Sequence, residues 1–225
     1  MIHRWLTIPA LARVGSAVLI ALALAAVPLA RDSDASRPQA AEIGSEARRD
    51  LARIERYLNA MTTVRARFLQ VASNGQFAEG NIYIARPGNM RVEYDPPTPV
   101  LIVADGTWLI YYDQELEQVS YIPLRSTPVS ILTRQDVSLT DGDLLVTDFT
   151  RDGGSLRLTV VQKDDPWSGS VTLVFDENPM TLRKWTVVDA QGVEIQVSLV
   201  TARFDIPLDR DLFQFKDPRV FKDRL

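Results

Sequence analysis

The 225-residue chain contains no cysteine, and its one histidine stands at position 3. No disulfide can therefore form, and the chain cannot itself be a lipoprotein, because bacterial lipid attachment requires a cysteine after the signal. If the first residues are removed on export, neither imidazole nor thiol remains. This excludes Ser-His-Asp and Cys-His catalysis and zinc sites built from His or Cys. We expect no metal site and no cofactor.

The chain also lacks a surplus of positive charge. It has 25 Lys and Arg against 29 Asp and Glu, and two of the basic residues lie within residues 1–30, so 23 remain beyond that point. The remainder is mildly acidic and has no basic stripe. This argues against nucleic acid or an anionic membrane surface as the main partner.

Long apolar runs are absent except at the N-terminus, where Val14–Leu29 follows a basic start at Arg4 and Arg13. The run is short for a membrane span, which needs about 20 residues. It ends at small residues, and cleavage after Ala25 or Ala30 fits the usual signal pattern. We expect residues 1–30 to be a cleaved signal peptide, with an uncleaved N-terminal anchor as the alternative.

One amphipathic helix is predicted after a polar, flexible lead-in over residues 31–44. The helix runs from about Ser45, a residue type suited to cap it, to Met61. Its apolar residues recur at helical spacing and draw one stripe: Leu51, Ile54, Leu58 and Met61. Residues 45–225 are expected to form a single domain.

From Thr62 onward the apolar period changes from 3.6 to 2, which indicates strands. Asn74-Gly75 and Asp105-Gly106 are strong hairpin signals. About eleven mostly sequential strands predict a large antiparallel sheet, which should curl into a barrel or half-barrel. The stretch 123–143 interrupts this pattern, and Thr127–Thr133 is interpreted as a short helix within it.

A curled sheet of this size needs apolar cover on its concave face. The helix supplies one stripe and residues 127–133 supply a smaller one, so either side chains fill the remaining space or a cavity remains. Alternation places the large apolar residues of the early strands on one face, and Arg86 continues the row of Ile82 and Ile84. A guanidinium there must be hydrogen-bonded or extend to solvent.

Several motifs between residues 45 and 122 occur in a recognisable order. After the helix come Val64-Arg-Ala-Arg-Phe68-Leu-Gln70 and Glu79-Gly80-Asn-Ile82-Tyr-Ile84-Ala-Arg86-Pro87. Ile102-Val103-Ala104-Asp105-Gly106, Leu109-Ile-Tyr-Tyr112-Asp113 and Leu116-Glu-Gln118-Val119 follow. As a set, these motifs resemble the LolA family of outer-membrane lipoprotein carrier proteins. The likeness weakens beyond residue 145.

The resemblance implies a mainly β fold with an α lid, an antiparallel half-barrel of about eleven strands covered by the N-terminal helix and short lid helices. It places the lid-locking arginine of the family at Arg86. The lid residues would be Pro128, Val129, Ile131 and Leu132. The acyl-chain cavity would be lined by Val64, Phe68, Ile82, Ile84, Met90, Val92 and Tyr94. Met90 stands where some members have an aromatic residue, and the C-terminal disulfide of others is absent.

The function implied by the resemblance is that of a periplasmic chaperone. It would bind the acyl chains of lipoproteins and carry them from the inner to the outer membrane, as a monomer. Its partners would be outer-membrane lipoproteins, an inner-membrane ABC transporter of the LolCDE type and an outer-membrane acceptor. No nucleic acid is expected.

Three other classes of function are alternatives to this one. A carrier of another lipid and a lipoprotein-sensing regulatory module are both compatible with the same fold. Enzyme activity is not expected, because the close carboxylate pairs Asp141/Asp143 and Asp164/Asp165 are typical of solvated loops, whereas glycosidase chemistry needs two carboxylates facing each other across a cleft.

Overall fold

The computed structural model describes residues 37–218, so the predicted signal peptide lies outside the described residues. These described residues belong to one compact unit. Residues 37–44 form neither helix nor strand. Within this predicted lead-in the Ala41 amide donates to the Val146 carbonyl at 2.9 Å, and Ile43 packs against the core.

The N-terminal helix, α1, spans Ser45–Ala60. Its predicted apolar stripe is confirmed, because Leu51, Ile54 and Leu58 are at most 3% exposed. The predicted cap by Ser45 is wrong. The helix begins one residue earlier than that role requires, Gly44 occupies the N-cap position in extended geometry, and no side chain caps the helix.

Strands follow the helix for most of the remaining chain, as the change of period predicts. Within residues 37–218 they are β1 (Thr63–Ala72), β2 (Phe77–Ala85), β3 (Asn89–Tyr94), β4 (Val100–Asp105), β5 (Trp108–Asp113), β6 (Gln118–Pro123), β7 (Leu144–Asp152), β8 (Ser155–Gln162), β9 (Gly169–Glu177), β10 (Met180–Asp189), β11 (Glu194–Leu199) and β12 (Arg203–Phe204). The ladders are antiparallel and form one open sheet, which confirms the predicted half-barrel class.

The sheet consists of two sequential meanders that join at their ends. Its order is β6-β5-β4-β3-β2-β1-β11-β10-β9-β8-β7, with β12 paired to β1. The first and last long strands therefore meet in the middle, and β6 and β7 form the two free edges. Since β6 and β7 are consecutive in the chain, the segment that connects them, residues 124–143, must cross the open side of the half-barrel.

This crossing segment, residues 124–143, contains two short 3₁₀ helices, Leu124–Ser126 and Pro128–Leu132. We call Pro128–Leu132 the lid helix. The short helix predicted over Thr127–Thr133 is therefore confirmed in its position by the lid helix. Thr127 has extended geometry and separates the two helices.

Register places alternate residues of β1–β4 in rows across the concave face. Val64, Ile84 and Met90 form one row, and Ala66, Ile82 and Val92 form the next. In the third row Phe68 and Tyr94 flank Gly80. Gln70 lies one row further, opposite Ala78.

Gly80 is required where it stands because two neighbours approach it closely. A Cβ added there would lie 2.0 Å from the Glu93 carbonyl oxygen and 2.8 Å from the Phe68 ring. That ring packs edge-on against Tyr94, with centroids 5.3 Å apart. The missing side chain of Gly80 lets two large aromatic residues share the concave face.

An ion-pair network fastens the first half of α1 to the sheet. Arg53 contacts Asp50 at 3.0 Å and Glu177 at 3.3 Å. Arg151 also pairs with Glu177 and contacts Asp50 at 3.3 Å and Glu46 at 2.8 Å. Asp50 and Glu177 are buried, so each depends on these guanidinium groups to offset the cost of desolvation.

The second half of α1 contacts the same end of the sheet as the first half does. The Leu182 amide at the start of β10 donates to the Tyr57 hydroxyl at 3.1 Å. The Tyr57 ring packs against Phe175 in β9 and Phe204 in β12. We call the end of the half-barrel that α1 contacts the helix end. The opposite end, where β1 and β3 finish, is the far end. Across residues 37–218, no helix combines the length and apolar content needed to cross a membrane.

Candidate functional site

Arg86 follows β2 at the helix end and donates hydrogen bonds to three backbone carbonyls. Its Nε contacts the Arg134 oxygen at 2.6 Å, and its Nη2 contacts the Gln135 oxygen at 3.3 Å. Nη1 contacts the Met61 oxygen at the end of α1 at 3.4 Å. One guanidinium thus joins the sheet, the helix and the crossing segment.

The environment of Arg86 is half-buried. Burial lowers the pKa of its guanidinium below the ordinary value, and the Asp136 carboxylate partly opposes that effect. The shift does not discharge an arginine at physiological pH. The charge is held mainly by carbonyl dipoles, which makes the hydrogen bonds to the crossing segment charge-assisted.

Further bonds near Arg86 hold the crossing segment. The Gly88 amide, in the turn between β2 and β3, donates to the Thr133 carbonyl at 2.7 Å. Arg134, whose carbonyl binds Arg86, forms an ion pair through its own side chain with Asp143. The crossing segment is therefore fastened at the end of the lid helix and again before β7.

Two polar side chains of α1 bind the backbone of the crossing segment. The Asn59 side chain donates to the Val137 carbonyl at 2.9 Å and accepts from the Val137 amide at 2.8 Å. Glu55 accepts from the Leu139 amide at 2.9 Å. These contacts were not predicted. The sequence did contain a signal for them: Glu55 and Asn59 are four residues apart and therefore share one side of the helix, next to the apolar stripe.

The predicted lid residues lie on the lid helix in two environments. Ile131 is 1% exposed and Leu132 is fully buried, whereas Pro128 and Val129 are half-buried. Pro128 reaches the start of β9, where a Cβ added to Gly169 would lie 3.2 Å from the proline Cγ. The lid helix therefore fills the open side of the half-barrel with its aliphatic side chains.

The predicted cavity residues lie together on the concave face. Six of them are buried in the main apolar cluster, and Tyr94 packs against that cluster while half-buried: Val64, Phe68, Ile82, Ile84, Met90, Val92 and Tyr94. The same cluster contains the α1 stripe and two lid residues, Ile131 and Leu132. In this closed arrangement, protein side chains occupy the concave face. An apolar ligand could bind there only if the lid helix moves, so contact with acyl chains stays a prediction.

One polar pair interrupts the apolar concave face. The Tyr94 hydroxyl donates to Gln70 Oε1 at 2.7 Å, and Gln70 is 4% exposed. Burial raises the pKa of the Tyr94 phenol well above its ordinary value, because its ionised form would be poorly solvated. Gln70 lies three rows from the Val64 row, about 20 Å along the strand at roughly 6.7 Å per two residues, and Tyr94 lies in the row before it.

The carboxylate pairs considered for catalysis do not form a facing pair. Asp143 is bound to Arg134 in the crossing segment, and both it and Asp141 are exposed. Asp164 and Asp165 are exposed in the turn between β8 and β9.

Taken together, the fold and the site define a class of protein: an open antiparallel half-barrel whose apolar concave face is covered by a helix and a fastened crossing segment. Residues 59–216 match the family model of the outer membrane lipoprotein carrier protein LolA. The chain belongs to the LolA family, as the motifs in its first half predicted. Family members are carriers that bind without chemical conversion, so the chain is a binding protein and not an enzyme.

Individual relatives are similar over most of their length. An outer-membrane lipoprotein carrier protein of Legionella pneumophila is 31% identical over 172 residues, which cover 72% of this chain and 83% of that protein. One from Methylococcus capsulatus is 29% identical over 184 residues, covering 76% and 87%. An uncharacterized protein of Rickettsia prowazekii is 26% identical over 176 residues, covering 76% and 78%.

Proposed function

We propose that the chain is a periplasmic carrier that takes up the acyl chains of lipoproteins on its concave face and delivers them from the inner to the outer membrane. The observation that carries this proposal is the fastening of the crossing segment over an apolar face by Arg86. If the crossing segment only completed a permanent core, an apolar residue in place of Arg86 would stabilise the fold more than a half-buried guanidinium does.

The energetics favour a carrier with a closable face. Each buried CH₂ group contributes about 0.8 kcal/mol, so an acyl chain of about 15 carbons costs on the order of 10 kcal/mol when exposed to water. Lipoproteins with several such chains need cover to cross an aqueous compartment. The work of opening the lid lowers the net affinity, which lets the carrier release its cargo as well as bind it.

The remaining parts of the proposal follow from this role. Residues 1–30 direct export as a cleaved signal peptide. The loading partner is an inner-membrane ABC transporter of the LolCDE type, and the receiving partner is an outer-membrane acceptor. The carrier acts as a monomer, because each chain supplies a complete face and lid.

The test is to isolate the protein from the periplasm and identify the molecules that co-purify by mass spectrometry. Two adjacent residues of β4, Leu101 and Ile102, are both half-buried and lie on opposite faces. Ile102→Glu places a carboxylate on the concave face and is expected to abolish co-purification of acylated polypeptides. Leu101→Glu is the matched control on the outer face and should retain them.

The possible results separate the proposed carrier from its alternatives. Free lipids in place of acylated polypeptides would identify a carrier of another lipid. No acylated molecule in any preparation would refute the proposal. In the native host, loss of the chain is expected to leave lipoproteins in the inner-membrane fraction. A regulatory module would instead leave their distribution unchanged.

A further inference from the structure

The far end of the concave face holds a buried amide with an unused hydrogen-bonding atom. Gln70 Oε1 accepts from Tyr94, but within residues 37–218 no hydrogen bond from Gln70 Nε2 to another residue is found. Turning the amide over exchanges the two atoms and still leaves one of them unpaired. A buried amide usually satisfies both.

The unpaired atom must face an opening. Among the described residues, no fully enclosed side-chain nitrogen or oxygen lacks a hydrogen-bond partner. Nε2 therefore lies at the small part of Gln70 that solvent reaches. Since Gln70 shares the concave face with Ala66 and Phe68, the amide stands just beyond the three apolar rows of β1–β3.

The surroundings of the amide suit a neutral acceptor. Among the described residues, the hydrogen bond between Tyr94 and Gln70 is the one found for either side chain, and no cation takes part in it. A free carboxylate or a phosphate would require an Arg or Lys partner at such a buried position. A carbonyl oxygen requires one N–H donor, which Gln70 supplies.

We propose that Gln70, oriented by Tyr94, binds the ester or amide carbonyl through which an acyl chain is attached to the rest of its molecule. The hydrocarbon then follows the rows of β1–β4 toward the helix end, and the linkage stays at the far end. This inference rests on the proposed function, since it names the chemical group that the acyl-binding face recognises. Acylated polypeptides and glycerolipids share this carbonyl.

The experiment measures displacement of an apolar fluorescent dye from the purified protein by two matched ligands. One is a palmitoyl ester and the other a hexadecyl ether of the same short polyethylene glycol, so that only the carbonyl differs. One hydrogen bond corresponds to a preference of about 3-fold to 10-fold for the ester. Gln70→Leu should reduce this ratio to about one without weakening the ether.

A matched control lies on the other face of the same sheet. Gln196 of β11 belongs to the outer face, opposite Val71, so Gln196→Leu should keep the preference for the ester. Should Gln70→Leu fail to fold, Tyr94→Phe removes the group that orients the amide and should at least halve the ratio.

The outcomes distinguish failure of this inference from failure of the proposed function. If the wild-type protein binds both ligands equally, or if Gln70→Leu retains the preference, the carbonyl site is refuted while acyl binding stands. If neither ligand displaces the dye, acyl binding itself is refuted. A diacylated peptide and a diacylglycerol then identify the source of the carbonyl. If Gln70→Leu weakens binding of either ligand, the site is supported. If it weakens binding of neither, the site is refuted.

Discussion

Replacing Arg86 by leucine should release the crossing segment while leaving the sheet intact. The substitution removes three hydrogen bonds, of which the contact to the Arg134 oxygen at 2.6 Å is short and the other two, at 3.3 and 3.4 Å, are weak. A hydrogen bond to a charged group contributes about 1.5 to 3 kcal/mol. If only the short bond is counted, the substitution should destabilise the closed state by about that free energy.

This loss of free energy predicts a measurable change in the open population. At 1.4 kcal/mol per tenfold, the population of open molecules should rise by about 10-fold to 150-fold. Hydrogen exchange can detect the change at two amides of the closed arrangement, those of Gly88 and Val137. Both should exchange faster in Arg86→Leu by a similar factor, whereas amides within the β9–β10 ladder should not change.

The matched control for this substitution lies on the outer face. Arg91 also donates to a backbone carbonyl, that of Leu212 at 3.2 Å, but it holds the C-terminal segment and not the crossing segment. Arg91→Leu should therefore leave exchange at Gly88 and Val137 unchanged. Unaltered exchange at both amides in Arg86→Leu, or equal acceleration in Arg91→Leu, would refute the reasoning.

Three further predictions concern single contacts. Asn59→Leu removes two neutral bonds to Val137 at an exposed position, so exchange of the Val137 amide should accelerate about fivefold, with an unfolding midpoint in urea that changes little. Gly80→Ala inserts a Cβ 2.0 Å from the Glu93 carbonyl and should lower the free energy of unfolding by about 2 to 4 kcal/mol, measured by urea denaturation. Tyr94→Phe should be less sensitive to alkali than the wild type. The folded-state pKa of Tyr94 is raised, so the stability it contributes is complete below about pH 10 and declines as the pH rises above that value. Thermal unfolding between pH 8 and pH 11 measures the difference, and equal slopes for the two proteins would contradict it.

Local features of the fold were predictable because they depend on neighbouring residues. The hairpins at Gly75 and Gly106 follow from turn chemistry, since both glycines adopt positive φ. The α1 stripe and the strands follow from periodicity. Pairing of β1 with β11 was not predictable, because it depends on how two meanders curl toward each other and no local pattern encodes that.

The candidate site was predictable in part for the same reason. The position of Arg86 on the concave row follows from alternation, but its carbonyl partners do not, because residues 134 and 135 lie in an irregular segment. Gln70 was not singled out, since alternation gives its face and not the unpaired state of its amide. The missed cap has a simple cause: a shift of one residue at the helix start moves Ser45 from the N-cap into the first turn.

The meeting of β1 and β11 also governs when the protein can fold. Phe68 and Leu199 are neighbours in the ladder although they are 199 − 68 = 131 residues apart in the sequence. While the chain is being made, the first meander has β1 as a bare edge until β11 emerges. Contacts between such distant parts form slowly, and exposed strand edges invite aggregation in the meantime. The sheet thus becomes complete only after β11 has been synthesised, which favours a chain that stays unfolded until then.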